Sequence, residues 1–222
     1  MTSGLGMDEI YGATLEQIMG QDGDKGKLGI GVLMWASQSE RPLRTEELCQ
    51  ALEIKGSTEL NSENSPAIAT LLSYCIGLAT LDERRSRVRL IYLTLQEYLT
   101  GCPDLFGSAH TKMADVCLTY LNFQSIKDLP PDLLEPPETM FFLGHAFCYL
   151  GVHVGKELKE LTKSRALQPL NHYDHHVAAM MLQVNRGLWI SYGGGGPITG
   201  FTGLHAIACF GVVEIAIMAL IW

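Results

Sequence analysis

Residues 86–99 read Ser-Arg-Val-Arg-Leu-Ile-Tyr-Leu-Thr-Leu-Gln-Glu-Tyr-Leu, and the hydrophobic period changes partway along them. Val88, Leu90 and Tyr92 alternate with Arg87, Arg89 and Ile91, the period of a strand with one buried face. Thr94 then reads as a helix N-cap, Glu97 as its N3 partner in a capping box, and Leu93 with Tyr98 as the hydrophobic staple. Gly101 supplies the C-terminal stop and Pro103 prevents continuation. A strand that passes directly into a capped helix is the fixed point around which the other segments are placed.

Upstream, Ile10, Leu15, Ile18 and Met19 give Met7 to Met19 the pattern of a short amphipathic helix, closed by the polar, glycine-punctuated run Gly20 to Gly26. That run reads as a solvated linker. It lacks the phosphate-loop spacing, which occurs nowhere in the chain, so no nucleotide site is expected. From Lys27, Leu28, Val32, Trp35 and Ala36 follow helical spacing until Arg41-Pro42-Leu43 breaks it. Thr45 is positioned to cap a second helix whose first turn holds Glu46 and Glu47, with Leu48, Ala51 and Leu52 as its stripe. After a polar loop from Lys55 to Asn64, Ser65-Pro66 opens a third helix. Ile68, Leu71, Leu72, Cys75 and Ile76 line it and Gly77 ends it. Strands Leu78 to Leu81 and Val88 to Leu93, joined by Asp82-Glu83-Arg84-Arg85, complete a hairpin.

Three helices followed by a hairpin is the order of a winged helix. In members that bind DNA, the third helix enters the major groove with basic or amide side chains. Here that helix has neither Lys nor Arg, and the chain carries a net charge of −8. Both disfavour nucleic acid as a partner. The cluster Arg84, Arg85, Arg87 and Arg89 reads first as a charged edge hairpin.

Beyond Pro103, Met113, Cys117, Leu118 and Leu121 mark a helix from about Ala109 to Asn122. Leu129 to Glu138 holds four prolines and reads as a joint. Phe141 to Val154 is strongly apolar, Lys156 to Leu167 amphipathic, and Leu170 to Val184 helical again. Gly193 to Pro197 is a second joint.

Candidate chemistry is sparse. His172, His175 and His176 sit at i, i+3 and i+4 and would share a helical face, but no further metal ligand is assignable, and the expected reading is a polar face with no metal or cofactor. No G-x-S-x-G elbow occurs. The six cysteines form no C-x-x-C pair and read, apart from Cys102, as buried free thiols of a reducing compartment. No secretory signal is evident at the N-terminus. The expectation is a cytoplasmic protein that is not an enzyme and has no small-molecule substrate.

Leu204 to Trp222 is long enough to span a membrane, with little charge beyond Glu214. The preferred reading is ankyrin-like, because Thr202, Leu204, His205, Ala208, Gly211 and Glu214 follow the spacing of T-P-L-H-x-A and its downstream glycine. Gly203 replaces the usual proline, Ile207 an alanine and Val212 a histidine. One repeat cannot bury its own apolar face. A fragment of a longer protein, or a last helix that requires a partner, is therefore expected.

The stretches MDEIYGATLEQI, LMWASQSERPLRTEELCQAL, VRLIYLTLQEYL, PDLFGSAH and ADVCLTYL resemble fungal NACHT–ankyrin proteins, signal-transduction (STAND) ATPases similar in logic to NOD-like receptors. In that family the segment after the ATPase module resembles the winged-helix domain named from GPI inositol-deacylases, and a helical region and ankyrin repeats follow. Family members commonly carry histidine where this chain has Tyr92. The resemblance implies a mainly α chain divided into residues 1–23 as the end of a preceding module, 24–101 as the winged helix, 102–192 as an all-α region and 198–222 as a first, truncated ankyrin-like repeat. It implies a regulatory segment that acts on an ATPase (NACHT) module absent from this chain and binds protein partners. Tyr92, Thr202, Leu204, His205, Gly211 and Glu214 are the candidate interaction residues. A stand-alone interaction module and a winged-helix DNA binder are the alternatives.

Overall fold

A computed structural model describes residues 6–54, 66–133, 135–157, 176–185 and 202–210. The chain divides into two compact units, Met1–Glu53 with Glu63–Ala109, and Ile54–Ser62 with His110–Trp222.

In the first unit, α2 (Lys25–Gln38) is the central element, packed by α1 (Met7–Met19), α3 (Thr45–Glu53), α4 (Ile68–Ser73), α5 (Leu93–Gly101) and the strands β1 (Ala79–Asp82) and β2 (Arg87–Leu90). Val32, Leu33, Met34 and Trp35 are consecutive and all buried. A helix buried around its whole circumference belongs inside a core. The expected single stripe was too narrow, since Leu28 and Ala36 are only half-buried while Leu33 and Met34 are covered. Helix α1 adds Tyr11, Leu15 and Ile18 to this core, leaving the expected stripe residues Ile10 and Met19 exposed. It therefore lies in the same unit as the elements that follow it.

Gly26 and Gly29 allow α2 to approach its neighbours. A Cβ on Gly26 would lie 2.7 Å from the Ile18 carbonyl oxygen, and one on Gly29 2.7 Å from that of Tyr74. Gly26 is thus a packing residue inside a helix, not the end of a solvated linker.

The break at Arg41–Leu43 conceals a third strand-like segment. Val88 N–H donates to the Leu43 oxygen at 3.1 Å, Thr45 N–H donates to the Ser86 oxygen at 3.0 Å, and Arg44 bridges Arg87. This segment pairs antiparallel with β2, whose other neighbour is β1, in the register Ala79↔Leu90 to Asp82↔Arg87. The helix cap is also displaced from Thr45. The Arg44 oxygen accepts the first intrahelical bond, from Leu48 N–H, and Glu47 returns a carboxylate oxygen to Arg44 N–H at 2.8 Å. Arg44 is therefore the N-cap and Glu47 the N3 arm of a capping box. The same carboxylate receives both Arg41 guanidinium nitrogens at 2.6 and 2.7 Å, a bidentate clamp on the turn.

Helix α4 is shorter than the expected Ser65–Ile76, with Ala67 as its N-cap; Ser65 lies outside the described residues. The first hairpin strand is shifted by one residue from the expected Leu78–Leu81, and the second ends earlier than expected. β2 stops at Leu90, and α5 starts at Leu93 with Tyr92 as N-cap in extended conformation. Thr94 is the second helical residue, and its hydroxyl bonds the Tyr11 phenol at 2.8 Å instead of capping. Leu93, expected in the staple, is exposed. Helix α5 ends at Gly101, and Pro103 begins the single turn α6 (Pro103–Phe106).

The second unit is helical among its described residues: α7 (Ala109–Leu121), α8 (Gln124–Lys127), α9 (Leu143–Lys156), α10 (Val177–Asn185) and α11 (Gly203–Phe210). Helices α10 and α11 pack on α9. Met113, Ala114, Cys117, Leu118 and Leu121 of α7 are buried, and Tyr120 meets Phe142 edge-on at 5.4 Å. The expected helix to Leu167 and the joint Gly193–Pro197 lie outside the described residues beyond Glu157. Among the described residues, no helix is long and apolar enough to cross a membrane.

Candidate interaction surface

Where β2 ends, the chain turns its apolar side chains outward. Ile91 N–H donates to the Leu78 oxygen at 3.2 Å, closing the ladder, and the next two residues leave it. Ile91 is 37% exposed, Tyr92 58% and Leu93 74%. The expectation that Tyr92 shares the buried face of Val88 fails because the strand has already ended. Two residues before Leu78, on the neighbouring chain segment, stands Ile76, 42% exposed. Its φ is +46° and that of Gly77 is +80°. Glycine occupies the left-handed region without penalty, whereas a β-branched residue there is a steric outlier. The pair turns the chain from α4 into β1 and sets Ile76 outward beside the foot of the ladder.

The outward face of the same sheet is charged. Arg44, Arg87 and Asp82 lie side by side across the three strands, with Arg89 and Thr80 in the next paired row. The Asp82 carboxylate meets Arg89 at 3.3 Å and Arg85 at 3.8 Å. Arg44 and Arg87 oppose each other directly, a like-charge pair that costs stability. Apolar residues at one end and arginines along the face make an amphipathic surface. Sequence reasoning missed Ile76 and Arg44, because it placed Ile76 on an apolar helical stripe and left Arg44 unassigned between the break at Arg41–Leu43 and the cap expected at Thr45.

The other candidate residues lie in the second unit. Thr202 precedes α11, and the His205 ring accepts at Nδ1 from Thr202 N–H at 3.2 Å and from its hydroxyl at 2.9 Å. Leu204 is within the helix, and Gly211 and Glu214 lie outside the described residues.

Of the three histidines considered together in the sequence, His172 and His175 lie outside the described residues, and His176 is buried. Its Nε2–H donates to the Leu121 oxygen at 3.0 Å, and its Nδ1 accepts Ala178 N–H at 3.1 Å. Both nitrogens are committed, and the ring caps α10 in the manner of an N-cap side chain. Burial holds its pKa below the ordinary value, with nearby Lys127 acting the same way and the Leu121 bond opposing them. No group of three His, Cys, Asp or Glu side chains able to hold a metal occurs among the described residues. Burial also pushes the Cys75 thiol up to about 12. Cys49, half-buried against expectation, rises to about 11 through burial and then through Glu46 and Glu53. Cys117 is raised by burial as well. Thiols held protonated are poor nucleophiles.

Helix, short strand, two helices and a two-stranded wing, with the short strand paired to the second wing strand, is winged-helix topology. Residues 16–107 match the family described as GPI inositol-deacylase, winged helix domain. The first unit carries a winged-helix domain resembling that one. The match ends at Gly107, beside the boundary between the units. Comparison with curated proteins and with solved structures gave no match. The sheet, its basic outer face and the exposed side chains of Ile76, Ile91, Tyr92 and Leu93 all lie within the matched residues.

Proposed function

We propose that this chain is a non-catalytic regulatory and protein-interaction segment of NACHT–ankyrin type. Its winged-helix domain docks an ATPase (NACHT) module through the apolar foot of the wing, and residues 202–210 open an ankyrin-like repeat directed at protein partners. The observation that carries the reading is the run Ile91-Tyr92-Leu93 beside Ile76, large apolar side chains left in water where a fold with no partner would cover them. An apolar anchor with a phenol at its centre and a charged rim has the make-up of a protein contact. The Thr202–His205 bonds, which fix the start of α11, support the second part.

The test is to mix the chain with a purified NACHT ATPase module and measure binding and nucleotide hydrolysis. The wild-type chain should bind and slow hydrolysis. Tyr92→Asp with Leu93→Asp should weaken binding at least tenfold, about 1.4 kcal/mol, while circular dichroism is unchanged. Equal binding by the double variant would sink this reading.

A DNA contact is the alternative, favoured by Arg84, Arg85, Arg87 and Arg89 on the wing, with Arg44 on the strand beside them. It requires duplex affinity that falls steeply with salt and disappears when these arginines are changed. Helix α4 adds neither lysine nor arginine to such a site.

A further inference from the structure

His145, Tyr149 and His153 recur at every fourth residue of α9 and so lie along one face. Both histidines are fully buried. Phe142 stacks on His145 with centroids 5.3 Å apart, and the His145 ring lies 4.8 Å from Tyr149 and 6.1 Å from His153. His110, at the start of α7, stacks on His153 at 5.2 Å, and the two Nδ1 atoms are 3.0 Å apart. At that distance one nitrogen must carry a proton and the other a lone pair. We propose that His110 and His153 form a one-proton clasp between α7 and α9, which a second added proton opens.

With both rings neutral, the Nδ1–H of one donates to the Nδ1 of the other. A first added proton leaves that bond in place and makes it charge-assisted. A second added proton turns both Nδ1 atoms into donors and sets two cations against each other around a ring without access to water. The titratable groups on the surrounding elements do not reverse this. Helix α7 carries Lys112, Asp115, Cys117 and Tyr120, and α9 carries Cys148, Tyr149, Lys156 and His145, whose ring is 6.1 Å from that of His153. Glu157, which follows α9, accepts Thr111 N–H at 3.2 Å and so stands beside His110. The two carboxylates, Asp115 and Glu157, are offset in formal charge by Lys112 and Lys156 and so do not balance two added cations. Helix α10 has no titratable side chain and is preceded by His176; on α11 the Nδ1 of His205 is taken by Thr202.

In the unfolded chain each imidazole protonates near pH 6.5. The folded pair refuses one of those two protons, so the unfolded state binds more protons below that pH. Clasp stability is complete above about 6.5 and is lost as the pH falls.

The experiment is nitrogen NMR of the full chain with labelled histidine. At pH 7.5 the expected result is a through-hydrogen-bond coupling between His110 Nδ1 and His153 Nδ1, with one of the two rings as the Nδ1–H tautomer. On acidification the pair should titrate in two steps more than one unit apart, the coupling surviving the first and vanishing at the second. Between about pH 6.5 and the second step, the opening constants of amides across residues 109–121 and 143–156, corrected for the intrinsic pH dependence of exchange, should rise by up to about tenfold per pH unit, and they should level off below that step. His110→Leu, at the half-buried end, should reduce His153 to a single step. Two Nε2–H tautomers without coupling, one shared step near pH 6.5, or a two-step titration that persists in His110→Leu would each overturn the clasp. So would a coupling that appears only when zinc is added.

Discussion

Replacing Gly29 by alanine sets two opposing effects against each other, and the structure decides the sign. Gly29 lies inside α2, where alanine is preferred over glycine by about 1 kcal/mol. On an exposed helix the substitution would stabilise. Here the new Cβ would sit 2.7 Å from the Tyr74 carbonyl oxygen and 2.9 Å from Ile18 Cγ2, below the distances real Cβ atoms adopt. The isoleucine methyl can turn aside, but the carbonyl is backbone in the turn that leads from α4 towards Gly77. That oxygen also accepts the Gln21 side-chain amide at 2.8 Å, so moving it weakens a second contact. Overpacking of this kind costs about 1–3 kcal/mol, with backbone clashes at the upper end. Setting about 3 against the gain of about 1 leaves Gly29→Ala destabilised by roughly 2 kcal/mol. Gly144→Ala is the control, because Gly144 lies in α9 with nothing within 4 Å of its Cβ, and it should gain up to about 1 kcal/mol. Native-state hydrogen exchange suits a chain of two units, since it reads α2 and α9 separately. Exchange across residues 25–38 should quicken about thirtyfold in Gly29→Ala. Unchanged or slower exchange there would refute the claim that α2 and the Tyr74 turn meet through this glycine.

Glu47→Ala should destabilise the first unit by about 2–4 kcal/mol in urea unfolding, because the buried carboxylate holds both the Arg41 guanidinium and Arg44 N–H; Thr45→Ala should cost less, reversing the order expected from sequence. His176→Phe should lower the stability of the second unit by about 2 kcal/mol at pH 7.5 by orphaning Ala178 N–H and the Leu121 oxygen. Burial depresses the folded pKa of His176, so its contribution is complete above about pH 6.5 and falls with acid. His176→Phe should therefore flatten part of the acid limb of a stability–pH curve, and an unchanged limb would remove this ring from the explanation. Arg44→Glu should stabilise the sheet by a few tenths of a kcal/mol to about 1 kcal/mol, by turning a like-charge cross-strand pair into an opposite one, as read by urea unfolding at low salt.

The winged-helix order was legible because breaks in the apolar pattern separate its helices, α3 has a clear 3.6-residue stripe, and its hairpin has a clear two-residue alternation. Leu43–Thr45 escaped notice because a strand this short has no period of its own; its partner β2 defines it. The caps went wrong for a related reason. Thr45 and Thr94 are good cap residues by type, yet each stands inside its helix, and the neighbours decide the boundary: Glu47 reaches back to Arg44, and Tyr11 takes the Thr94 hydroxyl. Tyr92 was placed on the correct segment but on the wrong side, since the strand ends early and leaves the residues directly after it, 91–94, exposed. The histidines show the opposite failure. His172, His175 and His176 drew attention by adjacency, whereas His145 and His153 were absorbed into an apolar stretch. Their four-residue spacing around Tyr149 was the signal, and His110, 43 residues from His153, has no sequence mark at all.

Three features of the winged-helix domain work against its own stability within one small sheet and the residues that lead into and out of it. An isoleucine is held at φ +46°, two arginines face each other across neighbouring strands, and three consecutive large apolar side chains are left in water. Each has a simple remedy: asparagine or glycine at 76, an acidic residue at 44, polar residues at 91–93. Elsewhere in the same domain local chemistry and global fold agree, as in the Arg41–Glu47 clamp and the closely packed Gly26 and Gly29. A fold consistent in its interior and inconsistent on one face is using that face for something other than folding. The inconsistency also separates the two readings of the surface. A polyanion would explain the opposed arginines but would gain nothing from Ile76, Ile91 and Leu93. A protein module that buries the apolar foot against its own core, with acidic groups reaching Arg44 and Arg87, would relieve both kinds of cost together.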